Sequence, residues 1–255
     1  MRRLPRNPCL LLRAADDESL RLVVRDLGRR KYADALAVQE SVLAARLAGG
    51  AEDHLLFVEH EPVFTLGRAA HTDDLLDAPH RLGVEVFRTG RGGGVTYHGP
   101  GQMVAYPIIS LPPPRRDVRW YVGALQSVLR RVCADCGVEA DVDEGPHPGV
   151  WVAVRKIAAI VVALRRCVTW HGVALNLTTD LDPFAAIVPC GIRGMRATSL
   201  ARESHQEVSI GMAQRSFQAH FAKAFGFDEI EDSYNGEVRE GCAGPSSVDC
   251  PNGSG

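Results

Sequence analysis

Three stretches of the sequence bring together residue types capable of group-transfer chemistry. Cys190 stands between Pro189 and Gly191, which reads as a bend that exposes the thiol on a locally fixed backbone. A cysteine attacks as its thiolate, so it needs a neighbouring base or cation; without one it behaves as a small inert apolar residue. Lys156 lies in Arg155–Ile160, RKIAAI, among runs rich in valine and isoleucine. Its ammonium either snorkels to solvent or pairs with a carboxylate, or burial lowers its pKa so that it exchanges protons near neutrality. The third stretch, Arg91–Gln102, reads RGGGVTYHGPGQ and sets Thr96, Tyr97, His98 and Gln102 among five glycines. Glycines allow close approach of backbone to a ligand, and equally a tight turn between strands.

Several chemistries are disfavoured. The glycine-rich stretch lacks the Lys-Ser/Thr ending of a phosphate loop and does not have dinucleotide spacing. Cys133-Ala-Asp-Cys136 has half the look of a zinc site, but no second Cys or His pair stands at ligand spacing, so no metal is assigned. No cofactor is expected. With 29 basic and 31 acidic residues, the net charge of -2 gives no footprint for nucleic acid or an anionic membrane.

The elements that must position these residues follow from periodicity. Tyr32, Leu36, Leu43 and Leu47 share one face of a helix over Lys31 to Ala48, which Gly49-Gly50 ends. Strands are predicted at Leu55 to Val58, Val63 to Leu66, Val84 to Phe87 and Val104 to Leu111. After Pro112 to Pro114, a second helix runs from near Asp117 to about Cys136. Val150 to Val154, Ile157 to Leu164 and Val173 to Leu177 are strand-like, and Ile210, Phe217, Phe221 and Phe225 mark a last helix. Strands and helices mix without regular βαβ alternation, so the expected class is α+β on a mixed sheet.

The 255 residues, 45% of them hydrophobic, suffice for one large domain. The expected division is an N-terminal extension over 1–19, a catalytic domain over 20–232 and a disordered tail over 233–255, where large apolar residues are almost absent. Seven scattered cysteines suggest a reducing compartment, and the apolar run Leu10 to Leu12 is too short for a signal-peptide core. With no run of about 18 apolar residues to cross a membrane, a soluble cytoplasmic monomer is expected.

Taken together, the segments resemble the lipoyl(octanoyl) transferase family, whose fold is similar to the catalytic domains of biotin- and lipoate-protein ligases. The resemblance runs through EHEPVFTLGR (Glu59 to Arg68), RGGGVTYHGPGQ, PGVWV, RKIAAI, WHGVALNLTTDL (Trp170 to Leu181), PCGI and TSL, over roughly residues 20 to 230. It implies transfer of an octanoyl group from octanoyl-acyl carrier protein to a lysine of lipoyl domains, those of 2-oxoacid dehydrogenases and of the glycine cleavage carrier protein. Cys190 would form the acyl-enzyme thioester and Lys156 would activate it. The acyl pocket would be lined by Arg91, Gly92, Gly93, Gly94, Val95, Thr96, Tyr97 and His98, by Ala159, Ile160 and Val161, and by Gly172, Val173 and Ala174. One departure is Val161, where the family usually carries glycine. Basic Arg115, Arg116 and Arg119 could meet an acidic carrier protein or form a solvated face. Two alternatives remain at this point: an ATP-dependent lipoate- or biotin-type ligase, which would not need Cys190, and a non-catalytic protein that binds acyl chains or lipoyl domains.

Overall fold

The computed structural model describes residues 20–76, 80, 82–111, 117–143, 145, 148–188 and 194–233. The expected N-terminal extension, the proline run with Arg115 and Arg116, Cys190 and nearly all of the expected tail lie outside them.

The main sheet is mixed. Its strands are β1 (Arg21–Arg30), β2 (Asp53–His60), β6 (Gln102–Ile108), β7 (Asp141–Asp143), β8 (Gly149–Val152), β9 (Arg155–Arg165), β10 (Val168–Asn176) and β12 (Glu229–Asp232). They are ordered β12-β1-β2-β6-β10-β9-β8-β7. Strand β1 is parallel to both its neighbours, and the ladders from β2 to β7 are antiparallel. A two-residue strand, β11 (Arg196–Ala197), runs parallel to the start of β9. A smaller sheet, β4 (Glu85–Arg88), β3 (Val63–Leu66) and β5 (Val95–His98), stands apart from the main one.

Period-two alternation assigns the two faces of the main sheet. Leu55, Phe57, Met103, Ala105, Val173 and Leu175 face helices α2 (Val118–Asp135) and α5 (Ile210–Phe225), whose Tyr121, Leu125, Leu129, Phe217 and Phe221 complete the larger core. Their in-strand neighbours Leu56, Val58, Val104, Tyr106 and Ala174 face α1 (Tyr32–Leu47) through Ala35, Val42 and Leu43. A third cluster joins the small sheet to α3 (Asp182–Ala185) through Phe64, Tyr97 and Phe184. The short helix α4 (Leu200–Glu203) follows β11.

The mixed α+β architecture agrees with the expectation, and so do the three long helices. The ten-residue β1 is not expected from periodicity. Its charges interrupt the apolar alternation, and its register with β2 shifts between Asp26 and Arg29, around Gly28 at φ 64°. Val95–His98 is a strand rather than part of a continuous glycine-rich loop. Cys133 and Cys136 are buried free thiols in the core, as their helical setting suggests. Cys167 is disulfide-bonded. No helix among the described residues is long and apolar enough to cross a membrane.

Candidate active site

Lys156 is 5% exposed, one residue inside the start of β9. A bulge decides which way it points: Val150 pairs with Ala158 but Trp151 pairs with Lys156, so Ile157 is the extra residue. Ile157, Ala158 and Ile160 all join the α2/α5 core. Lys156 therefore shares the opposite face with Ala159, Gly149 and Trp151. Its side chain crosses Gly149, and its Nζ lies 5.2 Å from the centre of the Trp151 ring.

On this face a narrow cleft, open to solvent, is bordered by Lys156, Ala159, Ala174, Thr96, Phe184 and Met195. One side is apolar and the other carries amides. Gln102 Nε2 donates to Asn176 Oδ1 at 2.9 Å, and Gln102 Oε1 accepts from His98 Nδ1 at 2.7 Å. Asn176 Nδ2 donates to the carbonyl of Thr198 at 2.9 Å. Such a chain satisfies buried polar groups and fixes their rotamers.

The expected site residues divide by face. Thr96, Ala159 and Ala174 border the cleft, and Val161 and Gly172 lie on the same face of the sheet. Ile160 and Val173 lie on the other face, in the α2/α5 core. Val95 and Tyr97 pack into the third cluster with Phe184 and Leu75. Arg91 is fully buried, and its guanidinium donates to Thr65 Oγ1, to the Thr65 carbonyl and to the Gly92 carbonyl. It thereby ties the loop of Gly92, Gly93 and Gly94 to β3, a bond strengthened by Gly67 N–H to Gly94 O and Ala69 N–H to Gly93 O. The loop also touches β9: Gly92 N–H donates to Val162 O, and a Cβ on Gly93 would stand 3.7 Å from Val161 Cγ1. Cys190 falls outside the described residues, but Met195, five positions later, borders the cleft, and Ala197 pairs with Lys156.

Beside the cleft lies a buried group of rings. His60 Nε2 and the Tyr106 hydroxyl share a hydrogen bond of 2.7 Å, and the His60 and His98 rings are 5.5 Å apart, with Tyr32 against both. Burial holds His60 at about 4, and burial together with the neighbouring His60 holds His98 at about 3. His171 is at about 3 from burial and from Arg91 and Arg68 nearby; its ring stacks on Trp170, and neither ring nitrogen has a partner among the described residues. All three rings are neutral near pH 7, so His60 and His98 make their hydrogen bonds without adding positive charge. No group of three potential metal ligands occurs among the described residues.

Periodicity and motif reading did not assign Gly149, Phe184 or Met195 to the site, and left Gln102 and Asn176 as polar residues of candidate stretches without a role. Gln102, Asn176 and Gly149 do sit in the segments GPGQ, VALN and PGVWV, so the signal for them was the residues flanking the assigned ones.

The chain can be compared with known proteins on these grounds. Residues 31–222 match the Lipoyl protein ligase A/B catalytic domain. An octanoyltransferase of Solibacter usitatus is 48% identical over 217 residues, covering 81% of this chain and 94% of that protein. One of Syntrophotalea carbinolica is 44% identical over 198 residues, covering 78% and 92%. Among solved structures, a putative lipoate protein ligase of T. acidophilum with bound lipoic acid superposes with a TM-score of 0.69 at 18% identity, over 86% of this chain and 91% of that one. A lipoate-protein ligase A bound with ATP gives 0.67 at 18% identity, over 87% and 90%. The last two likenesses concern the fold.

Proposed function

Because the chain belongs to the Lipoyl protein ligase A/B catalytic domain family and is an acyltransferase of its octanoyltransferase branch, we propose that it carries octanoyl groups from octanoyl-acyl carrier protein to lipoyl-domain lysines through a thioester on Cys190. The observation that carries this reading is the position of Lys156. It is a buried amine on the wall of a partly apolar cleft, and the segment that leads away from Cys190 is paired to its backbone.

In the first half-reaction, the Lys156 amine takes the proton of the Cys190 thiol. The thiolate attacks the octanoyl carbonyl, and the tetrahedral oxyanion collapses by breaking the bond to the carrier sulfur. The departing carrier thiolate takes the proton back from Lys156, which leaves octanoyl-Cys190 and free carrier thiol. In the second, the neutral ε-amine of the acceptor lysine attacks the new thioester; an amide forms, the Cys190 sulfur leaves, and the proton passes through Lys156. Both steps exchange one acyl bond for another, so neither needs ATP. Ala159, Ala174 and Phe184 offer the apolar wall for the chain. At about 0.8 kcal/mol per buried methylene, seven alkyl carbons contribute on the order of 5 kcal/mol of binding.

Intact-mass measurement after mixing the protein with octanoyl-acyl carrier protein tests the proposal. The expected result is a gain of one octanoyl group, absent in Cys190→Ala. A catalytically active protein that never gains the group overturns the acyl-enzyme route. Transfer from free octanoate and ATP that survives Cys190→Ser would instead mark a ligase.

A further inference from the structure

Thr198 is held from three directions. Its N–H donates to the Lys156 carbonyl at 2.9 Å, its carbonyl accepts from Asn176 Nδ2 at 2.9 Å, and its hydroxyl donates to Glu203 Oε1 at 2.5 Å. Glu203 in turn receives two hydrogen bonds from Arg155, Nε to Oε1 at 2.9 Å and Nη2 to Oε2 at 3.0 Å. The bidentate geometry fixes direction as well as distance. Arg155 is the residue before Lys156, and Thr198 lies eight positions after Cys190. One carboxylate thus grips both the strand of the lysine and the segment that follows Cys190 in the sequence.

Few backbone bonds hold this junction: Thr198 N–H donates to Lys156 O and Ala201 N–H to Leu177 O, with Leu200 buried in the core behind them. Strand β11 is two residues long, and it pairs with β9 only at Arg155 and Lys156, beyond the last β10 partner, Ala158. A ladder so short does not resist sliding by itself, because register is specified by the number and burial of its pairs. The side-chain bridge adds a constraint that ties Thr198 directly to Arg155. Glu203 does not border the cleft, so its effect on the reaction must pass through the groups it holds.

We propose that Glu203 is a positioning residue for acyl transfer, which, by gripping Arg155 and Thr198 together, sets the distance and register between the Lys156 strand and the segment following Cys190. The inference rests on the Cys190–Lys156 reading given above. The thiol and amine must meet within hydrogen-bond reach, and misplacement by about 1 Å is enough to cost on the order of a hundredfold in rate. The acyl wall formed by Thr96, Ala159 and Ala174 does not depend on this bridge, so binding of the donor should survive its loss.

The test uses the full-length protein and its Glu203→Gln, Thr198→Val and Thr198→Ser variants. Single-turnover acylation by octanoyl-acyl carrier protein is followed by intact mass, and the pH profile of iodoacetamide alkylation is read on the peptide carrying Cys190. Glu203→Gln and Thr198→Val should acylate roughly ten- to a hundredfold more slowly, with donor KM within about twofold, and their alkylation midpoint should move towards the roughly 8.5 of a free thiol. Thr198→Ser, which keeps the hydroxyl, should retain the wild-type rate and profile. Equal acylation rates in wild type, Glu203→Gln and Thr198→Val, or slower rates with an unchanged alkylation profile, overturn the proposal. Should Glu203→Gln fail to fold, the Thr198→Val and Thr198→Ser pair decides, because both keep the Arg155–Glu203 ion pair. A wild-type protein that takes no octanoyl group sinks the acyl-enzyme reading itself, an outcome distinct from equal rates among acylating variants.

Discussion

Gly149 lies directly beneath the Lys156 side chain: a Cβ at that position would stand 2.3 Å from Lys156 Cε, 3.1 Å from its Nζ and 2.7 Å from the Ala158 carbonyl oxygen. A Cβ essentially never stands as close as the contacts to Lys156 Cε and the Ala158 carbonyl oxygen would be, so the absent side chain of Gly149 is the space the lysine occupies. Gln126 on α2 holds this strand in place by donating to the carbonyls of Gly149 and Asp143. The seat of the amine is built from the opposite strand and the helix behind it.

Gly149→Ala should therefore displace the lysine. The flexible end of Lys156 yields first, while the Ala158 carbonyl pushes back on the strand, so a stability loss of about 1–3 kcal/mol is expected beside the catalytic one. Acyl transfer should fall on the order of a hundredfold. Steady-state rates measured alongside thermal unfolding separate the two effects: a rate loss that persists well below the melting temperature reports displacement, and an unchanged rate shows that the lysine does not need this seat.

Lys156→Met preserves most of the volume and removes the proton carrier. If Lys156 moves protons in both half-reactions, acyl transfer at pH 7 should drop by roughly 10²- to 10⁴-fold, the usual contribution of general acid–base catalysis. Octanoyl-acyl carrier protein should still bind, because the apolar wall of the cleft is intact. Single-turnover kinetics with a separate binding isotherm provide the check, and a loss confined to binding would assign Lys156 to recognition instead.

The buried histidines make the fold acid-sensitive. His60 at about 4 and His98 at about 3 lie below their ordinary value of 6.5 because burial penalises the charged ring. The unfolded chain therefore binds protons more readily than the native one, and stability is fully present above pH 6.5 and lost as pH falls towards 4 and 3. At pH 5 each ring costs about 2 kcal/mol relative to pH 7. Urea unfolding at pH 7 and pH 5 should show a marked fall in midpoint. His98→Gln should reduce the difference between the two pH values, although it lowers stability at pH 7; a midpoint independent of pH in the wild type would contradict the burial argument.

What the sequence disclosed depended on the range of the signal. The faces of α1 and α5 were legible because Tyr32, Leu43, Phe217 and Phe221 repeat at helical spacing, a purely local pattern. The family resemblance marked Thr96, Ala159 and Ala174, which do border the cleft, but it also carried Ile160 and Val173, which alternation turns into the opposite core. Motif segments name stretches of chain, while a strand shows only every second residue to a site. The Gly149 seat and the Glu203 bridge were not legible, because they depend on the pairing of Gly149 with Ala159 and on Arg155 meeting a carboxylate 48 positions away. Neither pairing leaves a local trace in composition or period.

Val161 offers the sharpest test of how the cleft chooses chain length. Its side chain is buried on the site face of β9, and its Cγ1 lies 3.7 Å from where Gly93 would carry a Cβ, so it fills the gap between the strand and the glycine-rich loop. Val161 places two methyl groups there, and both facing backbones are fixed, β9 by its ladder with β10 and the loop by Arg91. The walls cannot spread to make room, so the volume removed in Val161→Gly becomes available to substrate. Each methylene is worth about 1–3 kcal/mol of discrimination in an apolar pocket. The variant should raise the rate ratio of decanoyl- to octanoyl-acyl carrier protein by roughly tenfold or more, at a stability cost of about 2 kcal/mol for the lost packing and the glycine in the strand. Competition between the two donors, read by the mass of the acyl-enzyme, measures the ratio directly. A ratio identical to wild type would place Val161 away from the path of the acyl chain and leave Ala159 and Ala174, the residues that border the cleft, to set its length.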